Sequence, residues 1–115
     1  MSTNTSEYQK QWYQKNKEKR RQQLKAYTQK RRDANRVFVC EYLSQHPCVD
    51  CGEDDIVVLE FDHVGDDKAI NVAQAVWEYG IDRLTAEIDK CEVVCANCHR
   101  RRTAARSGQF KTTWG

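Results

Sequence analysis

The chain has 115 residues, 39% hydrophobic and 31% charged, with one proline and six cysteines. That length fits one soluble, helix-rich domain, and no run of about 18 apolar residues is present to span a membrane. The net charge of +2 hides an asymmetry: residues 1–46 hold 11 Lys/Arg against 4 Asp/Glu (+7), residues 47–94 hold 3 against 13 (−10), and residues 95–115 hold 5 against none (+5). Two basic ends around an acidic middle suit a polyanion gripped at the ends, the alternative for each charge run being a solvated surface.

Residues 1–5 are expected to be disordered. The first eleven residues are polar and lack the apolar stretch of a signal peptide. The cysteines are therefore expected to be reduced, in a cytoplasmic setting, which favours metal over disulfides. Ser6 with Gln9 fits a capping box. From Glu7 to Ser44 there is neither Pro nor Gly, and good helix formers dominate. One long helix is expected, stopping before Pro47. Val37, Phe38, Val39, Tyr42 and Leu43 form its packing face, with Cys40 among them as a buried thiol. The first two-thirds then project as a basic helical arm within a unit spanning residues 1–46. Its Lys15, Lys19, Arg20, Arg21, Lys30, Arg31 and Arg32 are candidate DNA contacts, interleaved with Tyr8, Trp12, Tyr13 and Tyr27. A solvent-exposed or dimerising helix is the alternative.

Cys48-Val49-Asp50-Cys51-Gly52 is a first C-x-x-C knuckle. Ile56 to Phe61 is apolar and β-branched and reads as a strand that delivers Asp62 and His63. Adjacent strand residues point to opposite faces, so these two share a site only if the strand ends or bends there, which Gly65 allows. Short helices are expected over 72–79 and 83–90, capped by Asn71 and Asp82. Glu92 to Val94 is a second strand, with Cys91 in the core. It leads into Cys95-Ala96-Asn97-Cys98-His99, and a helix from Asn97 to about Arg106 carries Arg100, Arg101 and Arg102, candidate DNA contacts of which one or two can clamp phosphates. Residues 107–115 are expected to be a flexible tail. His46 reads as a surface residue.

Two knuckles supply four thiolates, Cys48, Cys51, Cys95 and Cys98, which suit one tetrahedral structural Zn²⁺. Redox pairing and a c-type haem are alternatives. The haem pattern in Cys95–His99 explains neither the other knuckle nor Asp62-His63. That pair and His99 are not needed to hold the zinc, although His99 can replace a cysteine as ligand and His63 can be a core or capping histidine. Phosphodiester cleavage needs an activated water and neutralised phosphate charge. His63 can accept a proton near neutral pH, while Asp62 and His99 offer one oxygen and one nitrogen to a divalent cation.

Phe61-Asp62-His63 and Cys95-Ala96-Asn97-Cys98-His99, set between paired knuckles, resemble the HNH endonuclease family, in particular its small four-cysteine phage and prophage members. The resemblance covers residues 47–106. It implies an α+β fold in which a ββα-metal, treble-clef-like core with structural zinc follows the long basic helix. It also implies DNA phosphodiester hydrolysis on double-stranded or branched DNA, with His63 as general base and Asp62 and His99 holding catalytic Mg²⁺ or Mn²⁺. One departure stands out. The family's middle Asn usually precedes the second knuckle by a few residues, where this chain has Asp89-Lys90-Cys91. The partner that orients His63 is therefore expected to be a backbone carbonyl or another side chain. The alternative function is a non-catalytic zinc-knuckle module that binds nucleic acid.

Overall fold

A computed structural model describes residues 3–114, with side chains from residue 6 onward. The expectation for residues 1 and 2 lies outside the described residues. Helix α1 spans Thr3–Gln45. It starts ahead of the Ser6 cap and ends before Pro47, which cannot continue a helix. Tyr8, Trp12, Tyr13, Leu24 and Tyr27 are all exposed, so the large apolar side chains described on the first half of α1 face away from the rest of the fold. Docking begins at Arg31. The stripe Asn35, Phe38, Val39, Tyr42 and Leu43 turns inward at helical spacing. Val37 and Cys40 fall off that stripe and are exposed, which corrects the expectation of a buried Cys40 thiol. Asn35 is buried and donates to Val76 O at 3.0 Å and Tyr79 O at 2.8 Å.

The expected first strand is displaced. Ile56–Val58 forms a 3₁₀ turn and strand β1 covers Leu59–His63. The reason is local: the Asp55 carboxylate accepts from Val57 N at 3.0 Å, a cap that competes with strand pairing. Val57 is also exposed, so no burial favours an extended backbone there. Strand β2 is Cys91–Cys95 and pairs antiparallel with β1, Phe61 opposite Val93 and His63 opposite Cys91. Between the strands lie α2 (Val72–Glu78) and α3 (Ile81–Ile88), the latter capped by Gly80 instead of Asp82. Helix α4, Ala96–Ser107, follows β2 directly. Gly108 closes it in the left-handed conformation, at φ 67°, so the expected tail instead turns back and forms a 3₁₀ turn over Phe110–Thr113.

The fold is thus α+β: a long N-terminal helix, one small two-stranded sheet and three short helices. The core has two parts. Leu43, Leu59, Val93 and Val94 pack with three of the cysteines, and Val72, Ala75, Leu84 and Ile88 pack between α2 and α3. Val39, Tyr42 and Phe61 touch both parts and join them. No helix among the described residues is long and apolar enough to cross a membrane.

Candidate metal centre and histidine groove

The four knuckle sulfurs of Cys48, Cys51, Cys95 and Cys98 lie within 4.8 Å of one another. Local geometry brings them there. Gly52 sits at φ +81°, where a side chain is strained. The Gly52 N–H donates to Cys48 O at 2.8 Å and turns the first knuckle. Val49 N donates to Val93 O at 2.9 Å, which joins this knuckle to β2. The second knuckle opens α4, where Cys98 N donates to Cys95 Sγ at 3.4 Å. Cys51 and Cys95 sulfurs are 3.7 Å apart. Tetrahedral Zn–S bonds of about 2.3 Å require about 3.8 Å between sulfurs. Burial and three neighbouring thiols push Cys98 up to about 12. Cys48 is held at about 6: burial opposes ionisation, and backbone hydrogen bonds from Cys95, Cys51 and Asp50 outweigh it. The four cysteines can hold a structural metal such as zinc, whose charge displaces the remaining thiol protons.

Beside this centre, α4 lies against the face of the sheet that carries Glu60 and Asp62. Asp62 is buried and accepts from two arginines. Arg106 forks onto both oxygens at 2.8 and 2.7 Å, and Arg102 Nη1 reaches Oδ2 at 2.9 Å. These bonds, Arg106 first, hold the carboxyl at about 2 against the opposing effect of burial. Arg102 also forks onto Asp50 at 2.7 Å twice and reaches Glu92 at 3.1 Å. It therefore ties the first knuckle to both strands, so the arginine expected as a phosphate clamp is already engaged within the chain. Arg100 and Arg101 are exposed. Arg31 and Arg32 are also engaged within the chain, since each donates to Trp77 O, at 2.9 and 2.8 Å, and Arg32 stacks 3.6 Å from the Trp77 ring centre. They satisfy and neutralise the carbonyl end of α2. Lys15, Lys19, Arg20, Arg21 and Lys30 are exposed on the arm.

Both site histidines are held by glutamates. An ionised carboxylate only accepts hydrogen bonds, so each pairing fixes which ring nitrogen carries the proton. His99 Nδ1–H donates to Glu60 Oε2 at 2.6 Å, leaving Nε2 at 3.6 Å from Asp62 Oδ1. His63 Nε2–H donates to Glu87 Oε2 at 2.9 Å. Lys90 Nζ donates to the other Glu87 oxygen, also at 2.9 Å. Lys90, then His63, holds the Glu87 carboxyl at about 2. Strand alternation places His63 on the Phe61 face and Asp62 on the opposite one. The two meet only at the outer edge of β1, which has no strand partner among the described residues. An open groove of about 730 Å³ runs along that edge and is walled by Asp62, His63, His99, Arg106, Lys68 and Asn71, with Val39 and Val76 behind them. β1 ends at His63, and Gly65 at φ 90° turns the chain away, as the shared site requires.

Sequence reading missed Glu60, Glu87 and Arg106 as parts of this arrangement. Glu87 carried a signal: it shares the inward stripe of α3 with Leu84 and Ile88, where a carboxylate is costly unless partnered. Arg106 pairs across 44 positions and carried none. In comparisons with known proteins, no family model, no curated protein and no solved structure matches this chain.

Proposed function

We propose that this chain is a metal-dependent DNA endonuclease of the HNH kind, with its centre in the groove along β1. One observation carries the reading: Asp62, His63 and His99 open onto a single groove beside a four-thiol metal centre. His63 has one ring nitrogen engaged by Glu87 and the other, Nδ1, available to take a proton from water. The resulting hydroxide oxygen bonds to phosphorus as the bond to the leaving oxygen breaks, and that oxygen takes up a proton from solvent. Asp62 and His99 would hold Mg²⁺ or Mn²⁺, which would neutralise charge on the scissile phosphate. An imidazole nitrogen and a carboxylate oxygen lie 3.6 Å apart with Glu60 adjacent, and an ion held there would take Asp62 Oδ1 in place of Arg106. Lys68 lines the same groove and suits the phosphodiester charge, while Arg106, which also lines it, is already forked onto Asp62. The exposed basic arm supplies affinity that does not depend on sequence.

A second reading, a zinc module that binds nucleic acid without cutting it, is favoured by the two arginines on Asp62, an arrangement that serves structure alone equally well. Supercoiled plasmid incubated with Mg²⁺ or Mn²⁺ separates the two. The nuclease reading expects nicked or linear product from wild type, and a general base lost in His63→Ala lowers the rate by about 10²–10⁴. Intact plasmid with retained DNA binding selects the second reading.

A further inference from the structure

We propose that Glu87 is a positioning residue for the reaction, holding the His63 ring by its Nε2–H so that Nδ1 is the nitrogen that accepts the proton. This inference rests on the nuclease reading above. It answers the departure noted in the sequence, where no Asn precedes the second knuckle to orient the histidine.

Four features of the structure carry it. The pair is close and dry: Nε2 and Oε2 are 2.9 Å apart, with side chains 13% and 3% exposed. Solvent therefore cannot easily substitute for either partner. The second Glu87 oxygen is taken by Lys90, so the carboxylate cannot swing away without losing both bonds. The same Lys90 Nζ donates to Asp67 O at 2.9 Å, and Val64 N donates to Lys90 O at 3.0 Å. The chain leaving His63 is thus fastened to the network that orients its ring. Finally, Glu87 reaches His63 from α3, the element packed under the Phe61 face, and leaves the groove side of the ring open. When Nδ1 takes a proton the ring becomes a cation, and the carboxylate already bonded to its other N–H stabilises that charge. The proton stays on the ring; Glu87 takes none.

The test uses the full, zinc-loaded chain as wild type, Glu87→Gln, Glu87→Leu and His63→Ala. Single-turnover plasmid cleavage gives the rate, DNA binding gives the affinity, and ring nitrogen NMR gives the tautomer. There are three histidines, and His63→Ala assigns the signal. Wild type is expected to show protonated Nε2 and bare Nδ1. Glu87→Leu is expected to lose that preference and roughly 10–100-fold in rate, at unchanged DNA affinity. Glu87→Gln keeps an acceptor but not the charge, so it falls between wild type and Glu87→Leu; where Glu87→Leu does not fold, a slower Glu87→Gln that retains the tautomer carries the proposal. Wild-type rates in the Glu87 variants, beside a dead His63→Ala, overturn this inference alone, as does a rate that falls only in step with DNA affinity. A wild type that leaves plasmid intact, or a His63→Ala that cuts normally, overturns the nuclease reading and this inference with it.

Discussion

His63 and His99 serve opposite faces of one two-stranded sheet, and each donates a ring N–H to a glutamate. The surroundings differ. His63 and Glu87 have side chains 13% and 3% exposed, backed by Lys90, while His99 and Glu60 are 29% and 49% exposed. The first pair belongs to the packed layer of α2 and α3. The second sits at the rim of a network of charges under α4. In the proposed nuclease reading the contrast is a division of labour: the histidine that would present one nitrogen at a fixed angle is locked from behind, and the one that would exchange partners with a cation is held by a displaceable bond. Strand alternation produces the difference, since neighbouring residues of β1 look into different environments.

The largest perturbation removes the frame common to both faces. Cys48, Cys95 and Cys98 are three of the seven buried residues of the cluster under the sheet. Structural zinc of this kind contributes on the order of 10 kcal/mol of apparent binding free energy. Chelation is therefore expected to release about one zinc per chain and abolish the sheet and α4 together, followed by metal analysis and circular dichroism. A sheet that persists without metal would show that packing alone joins the two faces.

Next in size are substitutions confined to one face. Leu84 is fully buried between α2 and α3, and Leu84→Ala is expected to cost roughly 2–4 kcal/mol. On the charged face, Arg102→Ala leaves Asp50 and Glu92 without their arginine, while Asp62 keeps Arg106. A cost of roughly 2–3 kcal/mol is expected, less than for a buried charge left wholly unpaired. The two residues share no partner, so urea unfolding of the double variant should give the sum within about 0.5 kcal/mol. A larger discrepancy would mean that the sheet transmits strain between its faces.

These long-range pairs also mark where the sequence stopped being legible. The knuckles, the long helix and α4 follow from short spacings, from Gly52 and from residue propensities over a few turns. The shift of β1 followed from one Asp55 cap against a weakly buried Ile56–Val58, a balance that local apolarity could not weigh. Arg102 with Asp50, 52 positions apart, and His63 with Glu87, 24 apart, exist only once α4 and α3 are packed against the sheet. Residue type named Asp62, His63 and His99. Their partners required the fold, and three of the arginines that looked free in the helical arm and α4 patterns, Arg31, Arg32 and Arg102, turned out to be fasteners.

Acid tests both faces at once. The Asp62 carboxyl is lowered from its ordinary 3.8 to about 2, by Arg106 and then Arg102, and that of Glu87 from 4.5 to about 2, by Lys90 and then His63. A depressed carboxylate contributes stability that is complete above its unfolded value and is lost as pH falls through the folded one. The urea midpoint is therefore expected to be unaffected by these two groups above about pH 5 and to fall between about pH 4.5 and 2. Asp62→Asn and Glu87→Gln should each remove part of that fall, and the double variant should flatten it further. An unchanged acid limb in both would place the sensitivity elsewhere.

The smallest effect belongs to Glu60. Its bond to His99 is short, 2.6 Å, yet the glutamate is about half exposed, so water and salt compete for both partners. Glu60→Gln keeps an acceptor for Nδ1–H and loses only the charge. Its stability cost should stay within about 1 kcal/mol and shrink as salt is added, since the glutamate charge is half exposed to screening. Thermal unfolding at low and high salt measures both. A loss as large as that of Arg102→Ala, or one indifferent to salt, would make Glu60 a structural tie like Glu87, and the distinction between a locked histidine and an exchangeable one would not stand.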